Sequence, residues 1–79
     1  MIPLPFAQNK TYYVVGLGKS NAAVIKSLVK SGADVRIWDD NEERRAAFDG
    51  TLLCLPEKAP WLKIKAVVHQ WGVVVNQLN

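Results

Sequence analysis

The sequence predicts an α/β fold: a βαβ unit carrying a small, mostly parallel sheet that is incomplete as a doubly wound domain. Three observations predict it. A run of β-branched and aromatic residues, Thr11-Tyr12-Tyr13-Val14-Val15, stops at Gly16; apolar residues at helical spacing begin just after a glycine-rich turn; and a second short apolar run ends in Asp39-Asp40-Asn41. Strand, glycine turn, helix and strand within about 30 residues form the βαβ signature.

Each element follows from local pattern. Residues 1–10 are a lead-in containing Pro3 and Pro5. The run after it is apolar throughout rather than alternating, as suits a parallel strand covered on both faces. From Ser20 onward, Val24, Ile25, Leu28 and Val29 share one helical face, with Lys26, Ser27 and Lys30 between them. Gly32 is expected at the helix stop, where a left-handed backbone favours glycine. Asp34-Val35-Arg36-Ile37-Trp38 reads as the second strand. Asp40 or Asn41 then caps a short helix over 42–48, acidic residues first and basic ones after, as the helix dipole prefers; Gly50 ends it. Residues 51–55 read as a third strand, Pro56 and Pro60 bound a loop, and 66–75 read as a further strand.

Composition narrows the functions. A chain of 79 residues, 49% hydrophobic and 22% charged, should fold as one domain over 1–79, with no room for a second catalytic lobe. The net charge is +3, but the basic residues are scattered and Glu42 and Glu43 adjoin Arg44 and Arg45, so no nucleic-acid partner is expected. Cys54 is the single cysteine and no Cys/His cluster has metal-ligand spacing, so no metal is expected and a reducing, cytoplasmic setting is. No apolar run approaches the roughly 20 residues that span a bilayer, which predicts no membrane association.

Chemistry concentrates in one loop. Gly16-x-Gly18-x-x-Asn21 has the spacing of the dinucleotide fingerprint, with asparagine in place of the third glycine, and makes the unit Rossmann-like. Gly16 permits the tight turn, Gly18 lets the backbone approach a diphosphate, and the N–H groups near Ser20 point the helix dipole at that anion. Asn21 implies a wider gap between helix and strand than glycine leaves. Gly18-Lys19-Ser20 is not the end of an ATP-binding P-loop, because its first glycine would fall on Tyr13 inside the strand. Lys19 is either a diphosphate contact or a solvated loop lysine. Asp39, just past the second strand, either accepts from a ribose or base edge or closes a turn or helix cap beside Asp40 and Asn41. Cys54, His69 and Trp71 lie in apolar runs without catalytic partners and read as packing residues, so no catalytic residue is assigned.

With the loop and the acidic turn in view, Val14-Val15-Gly16-Leu17-Gly18-Lys19-Ser20, Leu28-Val29-Lys30-Ser31-Gly32-Ala33 and Ile37-Trp38-Asp39-Asp40-Asn41 together resemble the N-terminal domain of the UDP-N-acetylmuramoylalanine–D-glutamate ligases, of the Mur ligase family. The likeness covers residues 7–50. It implies an ATP-dependent amide ligase of peptidoglycan synthesis whose first domain holds the UDP part of UDP-N-acetylmuramoyl-L-alanine. By position, Gly18, Lys19 and Ser20 would lie along the diphosphate and Asp39, Asp40 and Asn41 against the uracil, with Gly16 and Asn21 completing the residues expected to bind the UDP-sugar. ATP and Mg²⁺ are expected for the full-length enzyme and no cofactor for this chain, which is expected to be a truncated fragment without the remaining ligase domains. Departures are Asn21 for glycine, Asn41 at a position that can be basic, and His69-Gln70-Trp71-Gly72 where the family has a Ser-Pro-Gly turn. Two other readings stand beside this one: the N-terminal part of an NAD(P)-binding dehydrogenase with Asp39 on the adenosine ribose, and a non-functional remnant with an exposed apolar edge.

Overall fold

A computed structural model describes residues 9–69 and 72–75. The order is β1 (Thr11–Val15), α1 (Lys19–Lys30), β2 (Asp34–Trp38), α2 (Glu42–Ala46), two 3-10 turns (Gly50–Leu52 and Pro56–Lys58), β3 (Ile64–His69) and β4 (Gly72–Val75). The sheet runs β2-β1-β3-β4, with β1 parallel to both neighbours and β4 antiparallel to β3. This is the small, mostly parallel α/β sheet that the βαβ signature predicts.

The position of β1 explains its composition. It has a strand on each side and side chains packed on both faces, so Tyr13 and Val14 are fully buried. One face joins Tyr12, Val14, Val35, Ile37, Ala66 and Val68 to Ile25 and Leu28 of α1. The opposite face gathers Tyr13, Ala59 and Ile64, flanked by Trp38, Cys54 and Val67. There the Tyr13 hydroxyl donates to the Cys54 carbonyl at 2.7 Å, and its ring meets Trp61 edge-on with centroids 5.3 Å apart. Burial pushes the Tyr13 phenol up to about 12, so it remains a neutral donor at physiological pH. Gly32, at φ 82°, closes α1 in the left-handed region expected of it.

Three boundaries differ from the sequence reading. Residues 51–55 do not form a strand: Asp49 Oδ1 accepts from the Thr51 amide at 2.9 Å and its hydroxyl at 2.8 Å, winding Gly50–Leu52 into a 3-10 turn. Only Leu53 makes an isolated parallel bridge, to Ile37, before Pro56 withdraws a backbone donor. The stretch 66–75 is two antiparallel strands rather than one, with Val68 opposite Val73 and Gly72, at φ 145°, opening the second. The helix read over 42–48 is α2, Glu42–Ala46, and Gly50 starts the next turn instead of ending the helix; α2 buries no residue, so no packing extends it. The lead-in over residues 1–8 and the packing assigned to Trp71 lie outside the described residues. Among the described residues, no helix is long and apolar enough to cross a membrane.

Candidate functional site

The strand order turns back at β1: β2 lies on one side of it and β3 on the other. In open parallel sheets the crevice at the carboxyl ends of such strands is where ligands are held. The glycine loop leaves the carboxyl end of β1, and the acidic turn leaves that of β2. Gly16, at φ 90°, donates its N–H to the Trp38 carbonyl at 3.0 Å, tying the two strand ends together.

The loop is braced from below by side chains. Asn21 is buried, and its amide Nδ2 donates to the Gly16 carbonyl at 2.7 Å and the Val15 carbonyl at 3.3 Å. The asparagine that breaks the glycine fingerprint therefore fixes the loop by hydrogen bonds that glycine could not make. Asp39 braces it from the other side: Oδ2 accepts from the Leu17 amide at 2.9 Å, and Oδ1 from the Asn41 amide at 2.8 Å. These two N–H bonds hold the Asp39 carboxyl below its ordinary range, and Arg44, 3.5 Å from Oδ2, adds to the effect.

Above this brace, α1 begins with an exposed positive end. Its N-cap, Gly18, is extended and offers no side chain to the first-turn amides, and that turn contains no acidic residue. The first helical bond runs from the Ala22 amide to the Gly18 carbonyl. A cavity of about 270 Å³ opens here, lined by Gly16, Gly18, Lys19, Ser20, Asn21 and Arg44. It suits a small anion with a backbone-donor wall and two cations. Beyond Leu17, Gly18 and Lys19 lies a second, apolar cleft of about 650 Å³, walled by Ile25 and Val29 of α1 and by Phe48 and Leu52.

The structure thus gathers Gly16, Gly18, Lys19, Ser20 and Asn21 around one cavity. Asp39, Asp40 and Asn41 do not line it and have local partners: Asp39 secures the loop, Asp40 accepts from the Trp38 indole N–H at 3.0 Å, and Asn41 caps α2 by accepting from the Arg44 amide at 3.2 Å. Arg44 is the lining residue that the motif missed; its place one turn past Asp39, beside the cap Asn41, was the available signal. Arg45 faces elsewhere, donating to the Asp39 carbonyl at 2.6 Å with its guanidinium 4.5 Å from the Trp38 ring centroid. Cys54 is half-buried against the Tyr13 cluster and His69 is half-buried at the end of β3. Among the described residues, no group of His, Cys, Asp or Glu could hold a metal ion.

The chain is 50% identical over 69 residues to the UDP-N-acetylmuramoylalanine–D-glutamate ligase of Novosphingobium aromaticivorans, a match that takes in 86% of this chain and 16% of that protein. The ligase of the same name from Paramagnetospirillum magneticum is 44% identical over 75 residues, covering 92% of this chain and 16% of the relative. That from Caulobacter vibrioides is 32% identical over 78 residues, covering 96% of this chain and 17% of the relative, so the likeness runs past residue 50 and into the tail. The chain spans about 16% of the length of such relatives. No family model and no solved structure matches it.

Proposed function

We propose that this chain, a relative of the UDP-N-acetylmuramoylalanine–D-glutamate ligases over one segment of their length, is an N-terminal domain or fragment that binds the UDP part of UDP-N-acetylmuramoyl-L-alanine in peptidoglycan synthesis. The observation that carries the reading is the uncapped start of α1, opening on a cavity walled by the glycine loop and Lys19. Backbone N–H groups of that first turn and the Lys19 ammonium would meet the diphosphate. The apolar cleft beside Leu17 offers area for the remainder of the ligand.

The role is binding and positioning. Amide formation by such a ligase would draw on ATP and Mg²⁺. The substrate class puts the protein's work in the cytoplasm. Asp39, buried and bonded to the Leu17 and Asn41 amides, acts here as a positioning residue for the loop.

Amide chemical shifts test the proposal. UDP added to ¹⁵N-labelled protein should move the signals of residues 16–21 in a saturable way, and Lys19→Ala should weaken the effect. Shifts confined to other parts of the chain, or none at all, would remove the loop from the site.

A further inference from the structure

Resting on that reading, we infer that Arg44 is a second cationic grip on the diphosphate, held ready by Asp39 and turned to the ligand when it arrives. Among the described residues, Arg44 is the one lining residue of the small cavity that comes from neither the glycine loop nor the start of α1. It stands on α2, so the cavity has a cation on each of two separate elements: Lys19 on α1 and Arg44 on α2.

The contact that now holds Arg44 is loose. Nη1 lies 3.5 Å from Asp39 Oδ2, and the side chain is 56% exposed. Charge-assisted N–H to carboxylate bonds are ordinarily about 2.7–2.9 Å, so this pairing orients the guanidinium without consuming it. Asp39 does not depend on it either, since the Leu17 and Asn41 amides stay bonded to its two oxygens if Arg44 swings away. Release therefore leaves no buried charge unpaired. A planar fork of five donors suits two bridged phosphates better than a point charge does.

Arg45 supplies the internal control. It carries the same charge one residue on, yet its Nη1 is bound at 2.6 Å to the Asp39 carbonyl, its guanidinium stacks on Trp38, and it does not line the cavity. The difference between the neighbours is geometric rather than one of net charge.

The test is calorimetric titration of the full chain with UDP and with uridine, using wild type, Arg44→Gln, Arg44→Lys and Arg45→Gln. Arg44→Gln should weaken UDP binding about tenfold, the loss of a hydrogen bond to a charged group. Arg44→Lys should recover part of that loss, and Arg45→Gln should bind UDP like wild type. Uridine, lacking phosphate, should bind wild type and Arg44→Gln alike. UDP bound equally well by wild type and Arg44→Gln would overturn the assignment while leaving the binding site standing. Failure of wild type to bind UDP would instead overturn the site itself, and this inference with it.

Discussion

Gly16 and Gly18 occupy one loop and differ in what an added methyl would meet. Gly16 holds φ 90°, a conformation strained for any L side chain, so Gly16→Ala should cost about 1–3 kcal/mol in urea unfolding. Gly18 has an ordinary φ and open space around a built Cβ, so Gly18→Ala should leave stability within about 0.5 kcal/mol while its methyl obstructs UDP at the cavity wall. Asn21→Ala strips the Gly16 and Val15 carbonyls of a buried donor and should cost about 1–3 kcal/mol. That bracing was illegible in the sequence, where position 21 shows only a missing glycine; the amide's reach back to the strand end exists only once helix and strand are packed. Asp39 gives the pH dependence. Its folded carboxyl is held low, so its stabilisation is fully present above the unfolded pKa of about 3.9 and is lost as pH falls through the lower folded value. Asp39→Asn should therefore lower the urea midpoint at pH 7, and the gap from wild type should close as acidification carries the pH down through the lowered folded value.

At the scale of elements, β1, α1 and β2 were legible because local and tertiary signals agree. Gly16 and Gly32 mark the positive-φ turns that bound α1, and the apolar run of β1 matches a strand paired on both sides. Residues 51–55 misled because their apolar side chains lack a ladder: among the described residues β2 is an edge strand whose outer side receives a single bridge, and the Asp49 turn captures Thr51 first. The split of 66–75 brings the second strand in at Gly72, at φ 145°, which the apolar residues on either side of it do not reveal. Packing separates these elements energetically. Ile37, fully buried on β2, should cost about 2–5 kcal/mol when cut to alanine. Val74, 58% exposed on β4, should tolerate lysine within about 0.5 kcal/mol, both measured by denaturant midpoint.

For the molecule as a whole, the candidate site sits where the fold is best supported. The β2-β1-β3 part of the sheet has side chains packed on both faces, and both loops that shape the cavity leave its carboxyl ends, whereas Val73, Val74 and Val75 of β4 remain more than half exposed. The glycine loop's place between strand and helix was readable from spacing alone; its brace by Asn21 and Asp39, and the place of Arg44 at its wall, required the fold. The central claim is that this loop takes a UDP-sugar rather than a dinucleotide. It is tested most directly by calorimetric titration of the chain with UDP-N-acetylmuramoyl-L-alanine, with NADH titrated in parallel. The account predicts saturable one-site binding of the UDP-sugar and no binding of NADH; saturable binding of NADH, or of neither ligand, would contradict it.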